Sequence, residues 1–272
     1  MLIKTSILLF AFFMFSVGLL VALPANAQQY QSIIIYSDGS ITGTNNIQHD
    51  GNTYTLTDNI FGHIQVQKSY ITINGAGYTI KGNNYDAAFD LTNGYGGDPS
   101  RSLLNNLTVT NLRILNFSAG IYSNSKNNVF SQLYLANCDS GILLMGAENN
   151  LITSNTFENN SNAVSIDYCR GETANVITKN NLINNDIIVW LSTKPIIDRN
   201  YYSNYSAKYP NAKEINATGV WDTPYESVRF VDVHPLMHKI EENPIPELNL
   251  WGLIPLMLLV SLFAVYAKPG KT

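Results

Sequence analysis

From Thr108 to Asn200 the apolar positions come in short alternating runs, and each run is closed by Asn or Gln. The closing phrase recurs as Thr108-Val-Thr-Asn111, Val129-Phe-Ser-Gln132, Ile152-Thr-Ser-Asn155, Ile177-Thr-Lys-Asn180 and Ile197-Asp-Arg-Asn200. Its Asn/Gln positions lie 21, 23, 25 and 20 residues apart, and a second column follows in Asn116, Asn137, Asn160 and Asn185. Alternation with a period of two, bounded by turn residues, predicts strands rather than helices. A repeat of this length marks units that cannot bury an apolar face alone and must stack. Strands returning once per repeat stack in parallel, and parallel crossovers are right-handed. The expected fold class is therefore all-β, a right-handed single-stranded parallel β-helix over residues 28–240. The repeat asparagines are expected to form ladders, each side chain capping backbone groups of the neighbouring coil.

The same alternation predicts which side chains face out. With Gly120, Gly141, Ala163 and Ile188 as equivalent strand starts, Ile121, Ile142, Val164 and Val189 point inward, as do Ser123, Leu144, Ile166 and Leu191. One outward column then holds Tyr122, Leu143, Ser165 and Trp190, and the next holds Asn124, Met145, Asp167 and Ser192. Two aromatic rings and a carboxylate on one flat face suit a sugar, which stacks on rings and hydrogen-bonds to carboxylates and amides. A loop or second subunit covering the face would explain it equally well.

The two ends depart from this pattern. Lys4, an apolar run from Ile7 to Leu23 and Ala25-Asn-Ala27 have the layout of a secretory signal peptide, residues 1–27. Cleavage is expected after Ala27; an uncleaved anchor helix is the other reading. Residues 248–267, Leu248 to Ala267, are uncharged and long enough to span a bilayer. Trp251 and Tyr266 flank this stretch and Lys268 and Lys271 follow it, which places the tail 268–272 in the cytoplasm and the N-terminal body outside. Residues 241–247 form the linker. A buried core helix is the alternative for 248–267.

Composition narrows the class. The chain has 272 residues, 45% hydrophobic and 13% charged, with net charge −4. That excludes a disordered chain and offers no basic footprint for nucleic acid. About one residue in eight is Asn, which tolerates left-handed backbone and belongs in turns. Export would permit a disulfide between Cys138 and Cys169. The register opposes it: Cys138 precedes one strand start, while Cys169 falls well past the next, on the order of 25 Å away. A bridge needs Cα atoms within about 7 Å, so two unpaired thiols are expected. Sequons at Asn106, Asn116, Asn159, Asn204 and Asn216 are candidate glycosylation sites, with Asn116 and Asn159 near the turn columns.

Two further stretches carry a family resemblance. One is Ile71-Thr-Ile-Asn-Gly-Ala-Gly-Tyr-Thr-Ile80-Lys-Gly82. The other is the closing set Asn200-Tyr-Tyr-Ser-Asn-Tyr205, Tyr209-Pro-Asn-Ala212, Trp221-Asp-Thr-Pro-Tyr225 and His234-Pro-Leu-Met237. With these, roughly residues 50–238 resemble the pectin-lyase-like β-helix proteins of the carbohydrate-binding and sugar-hydrolysis type, related to NosD-like periplasmic proteins. The first stretch is similar to that family's opening coil, where glycines allow the turn, and the closing set looks like archaeal members. Pro244-Ile-Pro-Glu-Leu248 resembles the Pro-Glu-Phe sorting tails of archaeal surface proteins, with Leu in place of Phe. The resemblance implies a repeat-built surface protein. Such folds host lyases, glycosidases, epimerases and plain surface proteins, so activity must be argued from a site.

Catalytic signals are thin. A glycosidase needs two carboxylates about 5–10 Å apart. The outward acids Asp139, Glu148, Asp167 and Asp186 include no pair at one register on adjacent coils. A lyase would need clustered acids for Ca²⁺ and a basic residue; Asp167 with Arg170 or Lys179 is a sparse version, and no other cofactor is implied. His234 and His238 are four apart with Pro235 between them and lack a third ligand, while His49 and His63 stand isolated. No metal site is expected, including a Cys/Met/His cluster for the copper chemistry that the NosD-like resemblance implies. Gly94-Tyr-Gly-Gly-Asp98 reads as a loop.

Three readings follow. The first is a membrane-anchored surface protein binding glycans or envelope polysaccharide without catalysis, through Tyr122, Trp190, Asp167 and Arg170. The second is a polysaccharide lyase or glycoside hydrolase with Asp167 as its catalytic candidate. The third is a structural envelope or adhesion rod.

Overall fold

The structure, a computed structural model, describes residues 29–92 and 103–241. The expected signal peptide, the Gly94–Asp98 loop, the Pro-Glu tail motif and the span 248–267 lie outside the described residues. Among the described residues, no helix is long and apolar enough to cross a membrane.

The chain forms a parallel β-solenoid. One sheet stacks Gln31–Ile35, Ile60–Val66, Ala87–Leu91, Ala119–Ser123, Ser140–Met145, Asn162–Asp167 and Ile187–Trp190 in parallel. A second stacks Thr72–Asn74, Thr108–Leu115, Val129–Ala136, Leu151–Thr153, Val176–Thr178 and Ile196–Asp198. Apolar residues of like register pile up between the sheets. Phe89, Ile121, Ile142, Val164 and Ile187 form one buried column, and Ile73, Val109, Phe130, Ile152, Ile177 and Ile197 another. Each such side chain contributes about 1.5–3 kcal/mol by leaving water, which is why no coil is stable alone.

The asparagines serve two purposes that look alike in sequence. Asn111, Gln132, Ser154, Lys179 and Arg199 occupy one corner, all with left-handed backbone at φ between 55° and 59°. The next residue points inward. There Leu112 and Leu133 are apolar, and Asn155, Asn180 and Asn200 form a buried ladder. The Leu133 N–H donates to Asn155 Oδ1 (3.0 Å), Asn155 N–H and Nδ2 to Asn180 Oδ1 (3.0 Å each), and Asn180 N–H to Asn200 Oδ1 (3.1 Å). The expected column thus merges two registers. Asn111 and Gln132 turn the chain and reach neighbouring coils only through partly exposed side-chain contacts with Asn74 and Thr110, whereas Asn155, Asn180 and Asn200 form the buried ladder that caps backbone groups of the next coil. The second column divides the same way: Asn116 and Asn137 are left-handed corner residues, whereas Asn160 accepts from Cys138 N–H and donates to Leu135 O, both at 2.9 Å. A third ladder, Asn128–Asn150–Asn175, escaped the sequence reading.

Both described ends are capped. Antiparallel pairings of Gln31–Ile35 with Ile41–Thr42, and of Ile47–Asp50 with Thr53–Leu56, close the first coils. At the other end the short helix Tyr205–Lys208 and the hairpin Tyr225–Glu226/Val231–Asp232 bury an aromatic cluster. Tyr202 stacks on Tyr225 with ring centres 3.8 Å apart, and Tyr205 stacks on Trp221 at 4.9 Å. Asp232, fully buried, is the last rung of the Asn155–Asn180–Asn200 ladder.

Candidate functional site

The first sheet turns one face outward along the solenoid. Its strand register sets two columns: Asp90, Tyr122, Leu143, Ser165 and Ile188, then Met145, Asp167 and Trp190. Ser165, expected to face out, is instead buried, with its hydroxyl 2.9 Å from that of Ser140. Trp190 therefore stands beside Asp167, two residues from its expected place next to Ser165. The slip arises because corners vary in length independently. The second sheet repeats after 25 residues from Leu151 to Val176, whereas the first repeats after 23 from Val164 to Ile187. A shift of two preserves the face, so Val189 still points toward the core. Leu191 does not point inward as expected; it is an exposed left-handed corner residue. Ser192 lies beyond that corner and accepts the Cys169 N–H at 3.0 Å.

A residue the sequence did not flag packs on Trp190 and lends its charge to Asp167. Arg229, in the loop of the closing hairpin, lays its guanidinium 4.7 Å from the centre of the Trp190 ring. Its Nη1 donates to Val189 O at 3.1 Å. Burial pushes the Asp167 carboxyl above the usual carboxylate range, and the Arg229 charge pulls it partly back. Trp190 nevertheless remains 47% exposed. Tyr122 stands three rungs away, about 15 Å at the usual strand spacing, and its hydroxyl reaches Met145 Sδ at 3.5 Å. The face thus offers one aromatic ring at each end with Leu143, Met145 and Asp167 between. Arg170 lies past the corner, 5.8 Å from the Tyr168 ring centre, with its Nε donating to Leu191 O.

The remaining candidates disperse. Glu148 pairs with Lys126 at 3.0 Å, and Asp186 Oδ1 accepts the Ile187 N–H at 2.8 Å. Among the described residues, no three His, Cys, Asp or Glu side chains come together as a metal group would require. His234 Nδ1 meets Asp198 Oδ1 at 2.7 Å, and His49 stacks on Tyr54. His63, expected to stand alone, instead contacts Ser32 and Asp86. Cys138 and Cys169 are separate buried thiols; burial raises both, Cys138 to about 11. Asn106, Asn159, Asn204 and Asn216 are exposed, whereas Asn116 is half-buried.

A family model described as "Periplasmic copper-binding protein (NosD)" matches residues 32–216. No curated protein and no solved structure matches the chain.

Proposed function

The chain belongs to the NosD family of β-helix proteins, and from that premise we propose that it is an exported envelope protein that binds glycans. The binding surface is the outward face bearing Tyr122, Asp167 and Trp190. The observation that carries this reading is Trp190, a large ring left half-exposed beside Asp167 and steadied by Arg229. An exposed aromatic next to a carboxylate suits a ligand with apolar C–H faces and hydroxyl donors. The parallel sheet carries this face from Tyr122 to Trp190 over several rungs, as a linear polysaccharide requires. Residues 248–267 anchor the body to the cytoplasmic membrane with the N-terminal side outside, and the exposed sequons carry glycans.

The family description names copper, but the donor set here does not fit that metal. Copper sites gather His, Cys and Met ligands. Among the described residues no metal-holding group of His, Cys, Asp and Glu forms; His49, His63 and His234 are separated onto different partners, and each thiol is buried against backbone carbonyls, Cys138 against Ala136 O and Cys169 against Leu144 O. The Asp167 site is read as binding without glycosidic cleavage, because its charged neighbour is Arg229 rather than a second carboxylate.

The test is a glycan array probed with the full-length chain and with Trp190→Ala. Binding to a polysaccharide class by the wild type alone supports the reading. Equal signals from both proteins, or none from either, overturn it. Release of reducing ends or unsaturated products in an Asp167-dependent manner would favour the lyase or hydrolase reading instead.

A further inference from the structure

At the opening coils of the same sheet, three side chains of complementary chemistry meet. Ser32 and His63 are paired across adjacent parallel strands. Ser32 Oγ lies 3.2 Å from His63 Nε2. On the other side of the ring, His63 Nδ1 faces Asp86 Oδ2 at 3.5 Å. That nitrogen is shielded from solvent and has no hydrogen-bond partner among the described residues. Tyr30 positions the acid: its hydroxyl donates to Asp86 Oδ2 at 2.9 Å, and its ring lies 5.7 Å from the imidazole. The backbone around Ser32 is tightly packed. A Cβ at Gly43 would fall 2.1 Å from Ser32 O, and one at Gly62 would fall 2.1 Å from Gln31 O. Both glycines have positive φ, 88° and 156°. A half-open depression of about 380 Å³ lies on the Ser32 side of this group, lined by Gln29, Tyr30, Gln31, Ser32 and Gly43. Among the described residues, Gln31 Oε1 is buried without a hydrogen-bond partner.

We propose that Ser32, His63 and Asp86 form a hydrolytic triad that removes small acyl esters. A hydroxyl within reach of an imidazole, itself oriented by a carboxylate, is the arrangement that makes serine nucleophilic. The Nδ1–Oδ2 separation is within the looser range of ligand-free sites. Ser32 Oγ bonds to the ester carbonyl carbon as its proton passes to His63 Nε2. Asp86 holds the resulting imidazolium at Nδ1–H. The C–O bond to the alcohol breaks, and the alcohol leaves with the proton from Nε2. Water then attacks the acyl-Ser32 by the same base, releasing the acid and restoring the hydroxyl. The overall change is ester plus water to acid plus alcohol, with no redox partner. The volume of the depression suits a small acyl group with part of its carrier. That the carrier is an O-acylated envelope sugar rests on the glycan-binding reading; the triad itself does not.

The experiment treats the full-length chain with a fluorophosphonate and reads intact mass and adduct position. One adduct on Ser32 is expected, absent in Ser32→Ala and formed roughly a hundredfold more slowly in His63→Gln. Asp86→Asn, altering a positioning residue, should slow labelling, and Asp86→Glu should restore part of the rate. Circular dichroism checks that each variant is folded. Hydrolysis of p-nitrophenyl acetate by the wild type should exceed that by Ser32→Ala. No adduct on Ser32, or labelling indifferent to His63→Gln, overturns the proposal. Labelling needs no glycan and should be unchanged in Arg113→Ala, on the other sheet, so the triad and the proposed glycan-binding face can fail separately.

Discussion

Asp232 closes the central asparagine ladder, and its removal should be among the most damaging single changes in the molecule. Each coil from Asn155 onward offers the one before it two acceptors at this corner: the Asn side-chain oxygen and the carbonyl of the left-handed residue. Lys179 N–H, for example, donates to Arg199 O at 2.9 Å, and Asn180 N–H to Asn200 Oδ1 at 3.1 Å. Among the described residues no further coil follows Asn200 in this stack, and one carboxylate supplies both acceptors. Its Oδ1 accepts from Arg199 N–H (2.9 Å) and His234 N–H (3.2 Å). Its Oδ2 accepts from Asn200 N–H (2.9 Å), Asn200 Nδ2 (3.1 Å) and Tyr202 OH (3.0 Å). Burial pushes this carboxyl up while the donors from Asn200, Tyr202 and Arg199 pull it down.

Asp232→Ala would orphan donors on two buried residues, Asn200 and Tyr202. Each unmatched buried donor costs about 1–3 kcal/mol, and relaxation with entry of water limits the total to about 3–5 kcal/mol. Asp232→Asn keeps the shape but turns one acceptor into a donor, so an N–H must face an N–H or O–H. The neutral amide also removes a buried charge, which offsets part of that cost and leaves a loss of about 1–2 kcal/mol. Urea unfolding followed by far-ultraviolet circular dichroism measures both, with the m-value checking that the unfolding transition is unchanged. A loss under about 1 kcal/mol for Asp232→Ala, or equal losses for the two variants, would refute the two-acceptor argument.

Other expectations follow from the same contacts. Asn180→Ala removes the acceptor for Asn155 N–H and Nδ2 and should cost about 2–4 kcal/mol by the same assay, whereas Asn111→Gly, at a corner of left-handed φ, should cost under about 0.5 kcal/mol. Gly75→Ala would bring a Cβ to 2.0 Å from Leu112 Cβ on the next coil and should lower stability by about 1–3 kcal/mol, seen as a lower Tm. Cys138 has its folded pKa raised by burial to about 11, so the stability linked to its neutral thiol is complete below the unfolded value and is lost as pH climbs through 9 to 11. Wild type should lose about 2 kcal/mol relative to Cys138→Ala across that window, and the thiol should resist Ellman's reagent until the chain unfolds.

The coil repeat was legible because stacking requires it. Apolar alternation and a near-constant return length are written directly in residues 108–200. The roles of single asparagines were not, because a left-handed corner and an inward ladder position lie one residue apart and accept the same amino acid. Asn111 and Asn155 illustrate this: one is a left-handed corner residue, the other a buried rung that bonds the backbone of the neighbouring coil. The opening glycines were read as turn residues. Gly77 is one, at φ 83°, but Gly75 is needed because the next coil leaves no room for a side chain. Trp190 was misplaced by two residues because the longer turn after Asp167 is compensated by a shorter corner before Ile187, and a mean period cannot divide the difference. Arg229, Asp232 and the Ser32–His63–Asp86 group left no local signal. Each is assembled from segments distant in sequence and outside the recognisable phrases.

The proposed glycan-binding face is tested most directly by isothermal titration of the full-length chain with the polysaccharide class that it retains on the array, comparing wild type, Trp190→Ala, Asp167→Asn and Arg113→Ala. Arg113 lies on the other sheet, its guanidinium 3.9 Å from the Tyr134 ring centre, and serves as the control. Loss of the Trp190 ring should remove about 1.5 kcal/mol, roughly a tenfold rise in Kd, with a similar weakening for Asp167→Asn and no change for Arg113→Ala. Equal affinities across all four proteins, or a loss confined to Arg113→Ala, would contradict the account.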